Sequence, residues 1–151
     1  MTKNLAKFAE KNGVEYFLIS FTDLFGAQRA KLVPKEAIAE MSQEGAGFAG
    51  FAAWLDMMPA DPDVLALPDP ASAIQLPWKP EVAWVAARPT LEGADVAHAP
   101  RNVLAAQIAK AEAQGLRVKS GVEAEYFLLS ADGSEISDAG DTAEKPCYDQ
   151  Q

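Results

Sequence analysis

The sequence predicts an α+β fold, and three observations carry that prediction. Apolar residues recur at helical spacing in a few short segments. Between them lie short β-branched and aromatic runs of strand length. Pro, Gly and Asp clusters divide these runs, so the pattern is several short strands around one or two helices rather than a regular βαβ alternation.

The first helix is predicted from Asn4 to Asn12, with Leu5, Phe8 and Ala9 on one side and Gly13 as its stop. Val14 to Thr22 reads as a strand, Asp23-Leu24-Phe25-Gly26 as a turn, and Ala27 to Val33 as the returning arm of an antiparallel hairpin. Pro34 opens a short helix, Lys35 to Gln43, with Ala37, Ile38 and Met41 on its apolar side. Pro59 to Asp63 is a turn region, followed by strand candidates Val64 to Leu67, Ser72 to Leu76 and Glu81 to Ala87. The polar, Pro-containing run from Arg88 to Pro100 reads as a linker. Pro100 then starts a helix lined by Leu104, Ile108 and Ala111 and capped by Gly115 and Leu116.

The stretch Gly121-Val122-Glu123-Ala124-Glu125-Tyr126-Phe127-Leu128-Leu129-Ser130 carries the most chemistry. It reads as a strand with two largely apolar faces, hence one buried in a sheet, and period-2 geometry puts Glu123 and Glu125 on one side. At about 7 Å and an effective dielectric of about 20 the two charges repel by on the order of 2 kcal/mol. Raised pKa values, arginine partners or a hard divalent cation would relieve this, and an edge strand facing water would not need relief.

Composition narrows the partners. The chain has 151 residues, a formal charge of -9 and a pI near 4.5, with no basic stripe to neutralise phosphates, which argues against nucleic acid and anionic membranes. No stretch approaches bilayer-spanning length, and the single cysteine, Cys147, makes no internal disulfide. The cytoplasm is the expected compartment. Gly45 to Gly50 spells G-x-G-x-x-G but follows a helix instead of a strand, so it is expected to be a mobile small-residue loop and not a phosphate cradle. His98, without Cys or His companions, is expected on the surface. Ala131 to Ser134 reads as a hairpin turn, and Glu135 to Lys145 as a solvated acidic loop whose spacing does not match a calcium site.

Four stretches in order resemble the amino-terminal part of the glutamine synthetase family, most closely its type III glutamate-ammonia ligase branch. Phe21-Thr22-Asp23-Leu24-Phe25-Gly26 with Val33-Pro34 looks like the family's first hairpin, and Pro62 to Asp69 like its "SDMxLxPD" segment. Pro100-Arg101-Asn102-Val103-Leu104 looks like the helix opening its catalytic domain, and Gly121 to Leu128 is similar to its "GxExEFFL" strand. The resemblance implies a β-grasp domain over residues 1–97 (from about Leu5 to Ala97) and, over 98–151, the truncated start of a glutamine-synthetase-type catalytic α/β domain. It implies that Glu123 and Glu125 each ligate one of two divalent ions, Mg²⁺ or Mn²⁺, that hold ATP phosphates. It further implies glutamate, ammonium or a small amine, and ATP as ligands, and self-association into a ring.

One departure bears on the acceptor. The family's "FDGSSI"-like loop supplies an aspartate that binds and deprotonates ammonium; counted without gaps from Asp69, that position is Ala49. The nearest carboxylate is Asp56, which could take over that catalytic role in a re-spaced loop or could be a cap. An apolar loop suits a bulkier amine, so a γ-glutamylamide synthetase using an alkylamine is one alternative. A non-catalytic β-grasp interaction module is another, and an assembly element with Phe48, Phe51 and Trp54 at an interface is a third.

Overall fold

The computed structural model describes residues 4–136, and the acidic run beyond Ile136 and Cys147 lie outside the described residues. It falls into two units, residues 1–117 and 118–151.

In the first unit, helix α1 (Leu5–Asn12) begins where the Asn4 carbonyl oxygen Oδ1 accepts from the Lys7 amide at 3.0 Å and ends at Gly13. Strands β1 (Tyr16–Thr22) and β2 (Gln28–Pro34) form the expected hairpin, in register from Tyr16 opposite Pro34 to Thr22 opposite Gln28. Pro34 leads into a single 3-10 turn, Lys35–Ala37, and only then into helix α2 (Ile38–Glu44). Leu5 and Ala9 of α1 and Ile38 of α2 are buried in one core with Phe17, Ile19 and Phe21, the alternate residues of β1.

Two corrections to the sequence reading follow. Gly45 to Gly50 is not simply a loop: Ala46–Phe48 is a strand, β3, paired antiparallel with β4 (Val64–Pro68), so Ala46 meets Ala66 and Phe48 meets Val64. Residues with little or no side chain allow that close approach, and a Cβ built at Gly45 would come 3.0 Å from the Leu65 Cβ. Nor is Arg88 to Pro100 a linker. The long strand β6 (Lys79–Leu91) continues through Arg88 and Pro89 and turns at Glu92 (φ 50) and Gly93 (φ 82) into β7 (Ala94–Asp95). Pro89 cannot donate, yet its carbonyl accepts from the Val96 amide and from the Asn102 side chain, which keeps it inside the sheet.

Strand β6 organises the unit. Val82 to Ala86 run parallel to β1, the Ile74–Leu76 strand β5 pairs along the same half, and Ala87 to Thr90 pair antiparallel with β4. The strand order is therefore β2-β1-β6-β4-β3, a mixed α+β architecture. Helix α3 (Pro100–Glu112) is tied to this sheet at its first turn. Asn102, 5 % exposed, donates to the carbonyls of Pro89 and Val96 at 2.8 Å each, and Arg101 bridges to Asp69 at 2.7 Å. The Leu104 and Ile108 side of α3 is exposed, and Leu116 caps the helix by donating to Ala111. No helix among the described residues is long and apolar enough to cross a membrane.

The second unit departs from expectation. Gly121 to Leu128 makes no strand pairing among the described residues, and Leu129 forms only an isolated bridge to Ile136 around the Ala131–Ser134 turn. A strand's amides and carbonyls must find a second strand, and none of the described residues supplies one. Val122, Tyr126 and Phe127 are accordingly 97, 81 and 80 % exposed, instead of buried as their pattern predicts.

Candidate functional site

The first group of functional candidates lies where the β1–β2 turn meets the segment after β3. Asp23 is buried at this turn and anchors it: one oxygen accepts from the amides of Phe25 and Ala27 at 2.9 Å, the other from Arg29 at 2.7 Å. Burial pushes the Asp23 carboxyl upward, but the Ala27 amide, the Arg29 guanidinium and the Phe25 amide outweigh it and hold the group below its ordinary value. The buried charge is therefore a structural pin that presents Leu24 and Phe25 outward, exposed by 42 and 76 %.

The facing segment is wound tightly. Ala53 donates to Ala49 and Leu55 to Gly50, while Leu55 is fully buried and its carbonyl contacts His98 Nε2 at 2.7 Å. His98 thus is a surface residue, as expected, but one that holds this loop. Gly50 leaves room for the Met57 side chain, whose sulfur would lie 2.2 Å from a Cβ at that position and would have to move aside. Trp54 and Asp56, neither of them glycine, adopt φ of 53 and 55, a left-handed conformation that bulky residues rarely accept.

The turn and this loop join through the Leu24 amide, which donates to the Trp54 carbonyl at 3.3 Å, and through Phe25 and Trp54, whose rings stand edge to face 5.1 Å apart. Together with Phe51, Asp56 and Met57 they line an open hollow of about 360 Å³. Asp56 lies at a bend and stands at no helix end, so of the helix-cap and turn-cap alternatives the first does not apply. The three aromatics named as interface candidates divide. Phe48 belongs to the core, edge to face with Phe21, whereas Phe51 and Trp54 are exposed. Phe25 was not picked out by the sequence reading, because nothing local announces that residues 25 and 54 meet.

Ala49, the position counted to the family's ammonium aspartate, lines a different hollow with Phe48, Ala52, Arg29 and Lys31. Arg29 is paired with Asp23, so Lys31 is the cation there without a carboxylate partner among the described residues, and no carboxylate lines this hollow to hold an ammonium ion.

Glu123 and Glu125, in the second unit, are both exposed. No group of three or more His, Cys, Asp or Glu side chains that could hold a metal occurs among the described residues. Nearby in sequence, Asp132 accepts from Ser130 and Ser134, and these bonds hold its carboxyl down at about 2.

No family model matches the chain. Individual relatives do, and as a class they are ligases. The chain is 64 % identical over all its 151 residues to a glutamine synthetase of Rhizobium meliloti, covering 35 % of that protein. It is 37 % identical over 147 residues to a glutamate–methylamine ligase of Methyloversatilis universalis, covering 33 % of it. Among solved structures, one titled "GmaS/ADP complex-Conformation 1" superposes with a TM-score of 0.89 at 60 % identity, over 99 % of this chain and 35 % of that one. These findings support the glutamine synthetase family, and the chain spans about a third of the length of the curated relatives it matches.

Proposed function

We propose that the chain is the amino-terminal portion of an ATP-dependent carbon–nitrogen ligase of the glutamine synthetase family, type III branch. The reaction joins an amine to the γ-carboxylate of glutamate after that carboxylate is phosphorylated by ATP. The observation that carries this reading is the 64 % identity maintained across every residue of the chain. Residues 1–97 are then the β-grasp domain, which the β1–β2 hairpin, the crossing helix α2 and the parallel pairing of β1 with β6 support. Residues 98–151 begin the catalytic domain. A cytoplasmic ring of such subunits is part of the same proposal.

Glu123 and Glu125 would hold Mg²⁺ or Mn²⁺ in the whole protein. Their chemistry fits: two hard oxygen donors, two residues apart in sequence, both accessible. Such ions, when bound, would supply positive charge against phosphoryl oxygens. The chain's own contribution is to place the two carboxylates on one side of a strand once that strand is paired. Asp56 is the candidate to hold the amine and take its proton.

A second reading concerns the acceptor. The relatives include a glutamate–methylamine ligase, and Ala49 faces Arg29 and Lys31 where an ammonium aspartate would be expected. An alkylamine acceptor giving a γ-glutamylamide fits the first fact, while the second says only that this hollow suits neither amine cation.

The test is phosphate release from ATP by the intact protein containing this chain, with glutamate and either ammonium or methylamine. Amine-dependent release that falls at least about a hundredfold in a Glu123→Gln, Glu125→Gln variant supports the reading. Release independent of glutamate, or unaltered in the variant, contradicts it.

A further inference from the structure

We infer that the hollow between the two open edges of the sheet binds the carboxylate of a small apolar acid. The inference stands on the first unit alone and makes no use of the ligase reading.

Strands β2 and β3 are the two ends of the sheet order, yet the Lys31 ammonium of β2 lies 5.1 Å from the centroid of the Phe48 ring of β3. The sheet therefore curls until its edges face each other. The gap between them is an open hollow of about 220 Å³, with Arg29, Ala30 and Lys31 on one side and Phe48, Ala49 and Ala52 on the other.

Three hydrogen-bond donors meet there. Arg29 is pinned from behind: its Nε and Nη2 both reach Oδ2 of the buried Asp23 at 2.7 Å, which holds the guanidinium in one orientation and leaves Nη1 unused by that pair. Lys31, two residues on and on the same side of the strand, has no carboxylate partner among the described residues. The third donor is backbone. In an antiparallel pair the amides of one strand turn alternately to its partner and away from it. The Asp23 amide donates to the Ala27 carbonyl at one end of the hairpin and the Lys35 amide to the Glu15 carbonyl at the other, so the odd-numbered positions of β2 are those bonded to β1. Ala30 is even-numbered, and its amide is turned to the open edge, where it lines the hollow.

The charge and the walls then define the ligand. Arg29 is balanced by Asp23, and Lys31 leaves one uncompensated positive charge at a place no carboxylate lines, in a chain of formal charge -9. Two cationic groups and a free amide select an oxyanion. The Phe48 ring and the alanine methyls offer no polar side chain beyond that charged rim, so the remaining space suits a tail of a few carbons instead of a second charged group.

Sodium butyrate is the probe, titrated into the 151-residue chain against sodium chloride at constant ionic strength, and the readout is the Ala30 amide resonance. Its proton should move downfield and saturate with a midpoint on the order of 1–10 mM. Acetate, two methylenes shorter, should require at least about threefold more, and so should glutamate, which carries charge at both ends. Lys31→Gln should raise the butyrate midpoint at least about threefold. Ala49→Leu, which fills the hollow without removing a donor, should abolish saturation. Lys35→Gln should change nothing, since that ammonium is bonded to Glu15. Arg29 stays in place throughout, because the buried Asp23 depends on it. An Ala30 resonance that chloride moves equally, or a midpoint indifferent to Lys31→Gln or to Ala49→Leu, would overturn the site. Inorganic phosphate saturating the same resonance at a lower concentration than butyrate would overturn the apolar acid as its ligand.

Discussion

Two stretches of this chain share one pattern and meet opposite fates. Tyr16 to Thr22 (YFLISFT) and Val122 to Leu129 (VEAEYFLL) are both rich in β-branched and aromatic residues. The first is β1, held between β2 and β6 with Phe17 and Ile19 fully buried. The second is unpaired over most of its length and exposed. Propensity and alternation are therefore statements about what a segment can become. Burial also needs a partner strand, and only β1 has one within the described residues.

The largest effect that separates the two stretches is a core truncation. Leu55→Ala, in the buried anchor of the aromatic loop, should lower the urea unfolding free energy by about 2–5 kcal/mol. Phe127→Ala, similarly apolar but 80 % exposed, should change it by less than about 0.5 kcal/mol. A comparable loss at Phe127 would mean that the second stretch is buried in solution after all.

A smaller effect is expected where α3 joins the sheet. Asn102→Ala removes both donors from the Pro89 and Val96 carbonyls and should cost about 1–3 kcal/mol in the same assay. No cost there would mean that the end of β6 is held by its pairing with β4 and β7 without help from α3.

How far these outcomes were readable from sequence differs by element. The α1 cap, the hairpin and the α3 start rest on residues within a few positions of each other, and those were legible. The continuation of β6 through Pro89 was not, because its justification lies in Ala66 and Asn102, far along the chain. Strand β3 was hidden by glycines that read as loop. Of the candidate site, the Glu123 and Glu125 pair and the lone Asp56 could be named, whereas the aromatic hollow joins residues 25 and 54 and has no local signature.

The smallest effect concerns acid. Asp23 titrates below its ordinary 3.8 in the folded chain. Its contribution to stability is thus complete above the unfolded-state pKa and is lost as pH falls through the lower folded value. Asp23→Asn should remove part of the proton uptake that accompanies unfolding below pH 3.8, measured as a smaller slope of stability against pH. Asp132→Asn should leave that slope unchanged, since its partners Ser130 and Ser134 belong to the same short turn. Equal effects would show that the second unit unfolds together with the first.

Amide hydrogen exchange over Gly121 to Leu128, compared between the 151-residue chain and the intact protein that contains it, tests the account most directly. In the shorter chain these amides should exchange at close to the unfolded rate, while those of β1 and β6 are protected. On the proposed function, in the intact protein they should become protected to the level of the core strands, because the remainder of that protein would supply strand partners and bring Glu123 and Glu125 to the metal. Fast exchange in both would leave the two carboxylates on an unpaired ribbon and contradict the metal-binding assignment.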